Sequence, residues 1–332
     1  MQEKEVIAAA RTGLGLGNQP DADFGEHDVE ALTALVFSID RAQHGAAPSN
    51  EPLDIWAFRA INAAVSDLAC GGVTSCYAQI DLQVPAGVTT EEVVLIGQGV
   101  RAALDWLDVK LLNGNNTTSG PLGITTAVHG VRPVHPRPPG RSGARPGDHV
   151  LCSRLPGRFN SALDLVSINE NTNWLASALL GGVAELDLGR ILVERELVST
   201  LIDANDCLLL TLRDLARASG VAIELDRGQI EAEAQTLDWS PRLETILKPP
   251  SGDLALVATV RPDRLEATQE AFLQLGRRPS VVGICAEGSP CVRIDGMTPD
   301  QLDLISAIWL TDAAGTYPAN TVRAEMRRGR AW

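Results

Sequence analysis

The segment PVHPRPPGRSGARPGD, from Pro133 to Asp148, holds five prolines and three glycines. Proline has no backbone donor and clashes with the preceding helical turn, so neither a helix nor a central strand can run through this stretch. A chain interrupted in this way must build its interior on both sides of the break. At 332 residues it has enough length for two hydrophobic cores. The segment therefore reads as a linker between two units: residues 1–136 as an N-terminal domain, 137–148 as the linker proper, 149–320 as a C-terminal domain, and 321–332 as a short, mobile basic tail.

Both flanks mix strand and helix patterns, which makes the fold class α/β. Before the break, TALVFSID and YAQIDLQVP alternate as strands do, and DIWAFRAINAAVSDLACGG is a small-residue helix stopped by two glycines. TTEEVVLIGQGVRAALDWLD is an amphipathic helix with a threonine cap and acids in its first turn; KLLNG is a short strand and GITTAVHGVRP another. After the break, HVLCSRL, VAIELD, DLALVATV, VVGICAEG and CVRIDG read as strands. NSALDLVSIN, ELVSTLIDANDCLLLTLRDLARASG and RLEATQEAFLQLG read as helices.

Charge narrows the partners. A formal charge of −14 lacks the basic excess that nucleic acid or an anionic membrane surface would call for. The first residues, MQEKEVIAAARTG, have no apolar leader pattern, and no later run reaches the roughly 20 apolar residues of a membrane span, so the expected location is the cytoplasm. Cys70, Cys76, Cys152, Cys207, Cys285 and Cys291 form no CxxC pair and sit mostly in apolar runs, as reduced, buried small hydrophobes do. The five histidines show no metal-ligand spacing; His44, four residues after Asp40, has the best functional case among them.

One stretch looks chemical. LLNGNNTTSGPLG, Leu111 to Gly123, ends an apolar run at a glycine and lines up Asn115, Asn116, Thr117, Thr118 and Ser119 before another glycine. Such a turn exposes backbone N–H groups that can cradle an anion, but it carries no carboxylate for the magnesium that accompanies nucleotide phosphates. Carboxylates do occur at the edges of apolar elements elsewhere: Asp40 ends ALVFSID, Asp67 interrupts AAVSDLACGG and Asp206 interrupts LIDANDCLLL. Each taken alone reads equally as a helix cap or a solvated turn.

Taken together, in order and spacing, these pieces resemble thiamine-monophosphate kinase. The resemblance covers most of residues 32–166, through INAAVSDLACGGVTSCYAQIDLQVP, DVKLLNGNNTTSGPLGITTAVHGVRP and RSGARPGDHVLC. The family pieces read roughly NLSDLAAMGA, GGDTTRGPL and RSGAKPGD, with a later SDG similar to NDCL here. The wider superfamily includes aminoimidazole ribonucleotide synthetase, selenophosphate synthetase and the hydrogenase maturation dehydratase, all users of ATP. The resemblance implies a two-domain aminoimidazole ribonucleotide synthetase-like fold, with an N-terminal sheet that closes a β-barrel-like dimer and a C-terminal α/β sandwich. It implies ATP and Mg²⁺ as cofactors, a small-molecule substrate and a homodimer. Asp40, Asp67 and Asp206 match family acids that hold magnesium, Asp206 also being a catalytic candidate. Gly114, Asn115, Asn116 and Thr117 occupy the nucleotide loop, and Arg141 matches an arginine that looks toward the nucleotide.

The departures from the pattern are specific. Asn116 stands where a magnesium-binding aspartate is expected, which keeps an oxygen but removes a charge from a hard-cation site. The early GDDA motif is reduced to GEHD, Gly25 to Asp28, leaving Glu26 as a candidate metal ligand. The glycine of SDG is Cys207, a second acid five residues after Asp206 is Thr211, and GGEDYEL reads PSGDLAL, keeping only Asp253. GDSAAG has become GRFNSA, Gly157 to Ala162. Substrate motifs thus diverge more than scaffold motifs. Two readings stay open: an ATP-dependent enzyme with a changed substrate, either a kinase or one that activates a substrate oxygen as phosphate, and a non-catalytic relative that serves a partner enzyme. The selenophosphate and dehydratase chemistries lack their reactive residue, since the first cysteine is Cys70 and the chain ends RRGRAW.

Overall fold

The computed structural model describes residues 25–30, 33–45, 51–118, 120–170, 174–239, 241–249, 252–307 and 318–328. Five strands form the first sheet: β1 (Gly25–Glu30), β2 (Thr33–Gln43), β3 (Ser75–Gln83), β4 (Val109–Thr117) and β5 (Gly123–Pro133). Their spatial order is β1-β2-β5-β3-β4, antiparallel except for the parallel β3/β4 pair, which is joined by a helical crossover. The sheet has an open edge at β4. Six further strands, β6 (His149–Cys152), β7 (Thr200–Asp203), β8 (Ala222–Leu225), β9 (Leu256–Val260), β10 (Ser280–Ala286) and β11 (Cys291–Ile294), form the second sheet in the order β11-β8-β10-β6-β9-β7.

The two-sheet α/β expectation holds, and two helices explain how the first sheet is covered. Helix α1 (Leu53–Cys70) is built of small and apolar residues and is buried nearly all round, from Ile55 to Cys70. Helix α2 (Thr90–Leu107) begins as expected at Thr89, whose hydroxyl accepts the Glu92 N–H at 3.2 Å while the Glu92 carboxylate accepts the Thr89 N–H at 2.8 Å. The two helices touch at a glycine: a Cβ on Gly99 would sit 1.9 Å from the Asp54 carbonyl oxygen, so no larger residue fits.

The cores do not follow the boundary drawn at the linker. Helices α3 (Arg158–Ser167) and α4 (Leu175–Leu179) bury Phe159, Leu163 and Leu179 in the same cluster as Ile61 and Val128 of the first unit. Helix α5 (Leu186–Glu194) packs on α1, with Gly189 against the Ala69 carbonyl, and feeds a bridging cluster that includes Cys70, Leu151 and Leu201. The second sheet is covered by α6 (Leu208–Ser219), α7 (Arg227–Ala234), α8 (Leu243–Leu247), α9 (Leu265–Gln274) and α10 (Pro299–Ala307).

Three expectations are corrected. The run ELVSTLIDANDCLLLTLRDLARASG is not one helix: Thr200–Asp203 is a strand buried on both faces, and α6 starts only after the Asn205–Cys207 turn. A doubly buried strand is continuously apolar and shows no period that separates it from a buried helix. KLLNG is not a short strand followed by a loop, because β4 continues through Asn116 to Thr117. The basic tail is not mobile throughout: α11 (Ala319–Arg328) buries Val322 and Met326, and Arg323 makes a two-pronged ion pair with buried Asp54 at 2.5 and 2.9 Å. The cysteines are free as expected, all but Cys291 are buried, and burial pushes the Cys76 and Cys285 thiols up to about 12.

Asp253, the acid kept from the family's GGEDYEL, closes the N-terminus of α3, accepting the N–H groups of Gly157 at 2.6 Å and Phe159 at 3.0 Å. Burial nevertheless raises its carboxyl from 3.8 to about 6. A carboxyl raised by folding stabilises fully below its unfolded value and loses that contribution as pH rises through the folded one. Urea unfolding from pH 4 to 7 is therefore expected to show Asp253→Asn losing about 2 kcal/mol less stability across this window than wild type, from a shift of about two units. Parallel pH profiles would overturn the assignment.

Candidate functional site

Strand alternation sorts the first sheet into two faces. On β2, Ala34 and Val36 point into the core, and Ser38 and Asp40 follow on the same side toward α1, whereas Leu35, Phe37 and Ile39 face outward. Ser38 donates its hydroxyl proton to the Asp67 carboxylate at 2.5 Å, tying the strand to the last turns of α1. One residue earlier on α1, Ser66 donates to Asp203 at the end of β7, also at 2.5 Å, tying α1 to the second sheet. The Asn205–Cys207 turn that follows β7 carries Asp206, exposed to solvent.

The result is a cluster of carboxylates drawn from three places in the chain. Asp67 lies well above the usual carboxylate range, chiefly through burial and then the charge of Asp203, with Asp40 and Asp206 adding to the push and the Ser38 hydroxyl opposing it. Burial raises Asp203 to about 6 against the pull of the Ser66 hydroxyl, with Asp206 and Asp40 raising it and the Arg141 guanidinium lowering it. Burial also raises Asp40, against the Arg41 N–H that it accepts at 2.6 Å. Asp40, Asp67 and Asp206 therefore come together around Asp203, and the Arg141 guanidinium stands near enough to Asp203 to lower it.

One residue missed in the sequence joins this group. Asp203 is its most buried acid, and an apolar TLI run ending on Asp203, three residues before Asp206, was the signal for it. Arg41 alternates onto the opposite, outward face of β2 and directs its guanidinium to Gln83 on β3.

The Asn-rich stretch is placed differently from the acids. Asn115 pairs in register with Asp81 and donates its amide to that carboxylate at 2.7 Å. Gly114 and Asn116 alternate onto the face that carries Asp40, but Asp40, Thr126, Ile80 and Gly114 form one row across four strands. Three strand spacings put Asp40 about 14 Å from Gly114 along the sheet. Within one chain, a single cation with bonds of about 2 Å cannot touch both Asp40 and Asn116. Thr117 ends β4, its hydroxyl 3.5 Å from Asp81. Glu26 lies opposite Val36 on β1, and its side chain is outside the described residues. His44 is engaged structurally, contacting the Glu51 carbonyl at 3.0 Å and meeting Trp56 edge-on.

The donor set tests the implied metal. Several carboxylates that raise one another's pKa are hard oxygen donors short of positive charge, which suits Mg²⁺. Among the described residues no three acidic, histidine or cysteine side chains form a ready-made metal cage. Mg²⁺ on a nucleotide keeps waters and phosphate oxygens and needs only one or two protein carboxylates, so the open arrangement fits a cation that arrives with phosphates.

Known proteins resemble this chain in sequence and in fold. The family model described as AIR synthase related protein, N-terminal domain, matches residues 23–132. The thiamine-monophosphate kinase of Halobacterium salinarum is 29% identical over 243 residues, 72% of this chain and 79% of that protein. That of Salmonella typhimurium is 30% identical over 185 residues, so the match spans 54% of this chain and about half, 55%, of the relative. A solved structure, AaThiL complexed with AMPPCP and TMP, superposes with a TM-score of 0.73 at 22% identity, covering 90% of this chain and 96% of that one. Residues 23–132 therefore match an AIR synthase related N-terminal domain, and the chain as a whole is similar in sequence to thiamine-monophosphate kinases and shares its two-sheet fold with AaThiL.

Proposed function

We propose that the chain binds ATP with Mg²⁺ and transfers the terminal phosphoryl group to a small-molecule acceptor that differs from thiamine monophosphate. The observation that carries this reading is the convergence of Asp40, Asp67, Asp203 and Asp206, with Arg141 near Asp203. Phosphoryl transfer leaves little covalent work to the protein; it needs positioning and neutralisation of charge on the phosphate oxygens. Bound Mg²⁺ would supply that neutralisation. Asp40, Asp67 and Asp203 would hold it, with Asp67 oriented by the Ser38 hydroxyl and Asp203 by that of Ser66. Arg141 would meet phosphate oxygens, and exposed Asp206 would face the acceptor hydroxyl. As the acceptor oxygen bonds to phosphorus, the bond to the bridging oxygen of ADP breaks and the acceptor proton passes to a carboxylate or water.

The changed acceptor is argued from the fold. Asp253 works as a buried cap on α3, and the GRFNSA segment begins that helix, with Asn160 donating to the Lys248 carbonyl at 3.0 Å. These segments keep a structural role while the acids beside Asp253 have been replaced. The separation of Asn116 from Asp40 also means that a phosphate chain, or a second copy of the chain, would have to link them. The outward face of β2 favours a second copy: Leu35, Phe37 and Ile39 are 37%, 42% and 68% exposed, a row of apolar side chains on an uncovered sheet. The alternative of a non-catalytic partner subunit rests on the Asn116 amide, where the family carries a charge.

Three outcomes follow. In Asp203→Asn, loss of a buried charge is expected to raise the unfolding midpoint at pH 8, above the folded value of about 6, while ATP·Mg²⁺ affinity measured by calorimetry falls ~10-fold or more. Affinity that stays level would remove the acid cluster from the nucleotide site. Asn116→Asp is expected to raise ADP release with a candidate acceptor by up to ~10-fold, equivalent to about 1.4 kcal/mol of barrier; turnover at background in both proteins with every acceptor tried would favour the partner-subunit reading. Light scattering at micromolar concentration is expected to give a dimer for wild type and a monomer for Ile39→Glu, and a monomeric wild type would sink the dimer.

A further inference from the structure

A cavity of about 600 Å³ lies away from the acid cluster and shares no lining residue with it. It opens between the start of β3 with the end of α2 on one side, and the segment leading into α5 together with Arg277 on the other. Cys76 lines it, whereas Asp40 stands in the Ile80 row, four residues or about 13 Å further along the sheet. This volume is in the range of small-molecule sites.

The lining has an apolar floor and a charged rim. Val73, Trp106, Leu107 and Ala184 are buried there. The cations Lys110, Arg154, Arg190 and Arg277 outnumber the acids Asp108, Glu185 and Asp187 by one, on a chain whose formal charge is −14. The Glu185 side chain, only 5% exposed, is spanned by Arg154 at 3.2 Å and Arg277 at 3.5 Å, and Arg277 also holds Asp187 at 2.9 Å. Two buried polar atoms here lack a hydrogen-bond partner: Arg154 Nε, a donor, and Glu185 Oε2, which Arg154 approaches as an ion pair without bonding geometry. Such groups point to missing partners, an acceptor for Arg154 Nε and a donor such as water for Glu185 Oε2.

We propose that this cavity is a second ligand site, which takes a small aromatic anion. The ring would lie on the Trp106 and Leu107 floor, and its anionic group would accept from Arg154 Nε and face Arg190 and Lys110 at the rim. A triphosphate is disfavoured, because three carboxylates line the space and a single excess positive charge balances only a singly charged group. A ligand here would bear on the α1/α5 contact and so on the docking of the two sheets.

The test is calorimetric titration of the full chain with 2-naphthoate and with 2-naphthamide, which has the same body without the charge. Naphthoate is expected to bind at least ~10-fold more tightly than naphthamide, to lose ~10-fold in affinity in Arg190→Glu, and to lose binding in Ser75→Trp, which fills the mouth. Both positions are surface-exposed, and the Arg190 pairing with Glu194 is an exposed i,i+4 contact of small worth, so both variants should keep the wild-type circular dichroism. Saturating ATP·Mg²⁺ is expected to leave naphthoate affinity unchanged. No binding to wild type, equal binding of the amide, unaltered affinity in both variants, or displacement by ATP·Mg²⁺ would each overturn the proposal.

Discussion

Like-charge repulsion among Asp40, Asp67, Asp203 and Asp206 is the constraint around which the rest of the structure is arranged. Carboxylates in a half-buried setting drive one another's pKa upward, and a protein keeps them together only when the surrounding packing over-determines their positions. Two serine hydroxyls offset part of the cost, each at 2.5 Å from its carboxylate. Both bonds converge on the last turns of α1, one from the first sheet and one to the second.

Helix α1 is therefore the hinge of the molecule in a packing sense. It lies against β2, α2, α5 and β7, and its close approaches at Gly99 and Gly189 leave no room for a side chain on either neighbour. Helix α11 adds Arg323 on Asp54 at its N-terminal end. A helix held on all sides can fix Ser66 and Asp67 to within the tolerance that metal and phosphate binding demand. The same packing explains why α3 and α4, which follow the linker in sequence, belong to the first core.

The replaced family residues fall into two groups. Asp253 remains as a cap whose loss would open a helix terminus, so the scaffold kept what it needed. Asn116 is exposed on an edge strand, where a change of charge costs the fold little.

Local pattern was enough to reveal the helices α1 and α2, the alternating strands β2, β3 and β5, the break at Pro133–Asp148 and the acids Asp40, Asp67 and Asp206, because periodicity, caps and proline act through neighbours in the chain. The resemblance supplied Arg141 and the nucleotide reading of the Asn-rich stretch. Tertiary structure alone decided the rest. It made Thr200–Asp203 a strand, since burial on both faces erases the period that would announce it. It brought Asp203 beside Asp67 across 136 residues of chain, a proximity that no local signal encodes. It set Asn116 on the edge of the sheet and Asp40 in its interior, because strand order β1-β2-β5-β3-β4 puts two strands between them. Strand order is settled by how the two helices cover the sheet, which is a property of packing and not of any segment read alone.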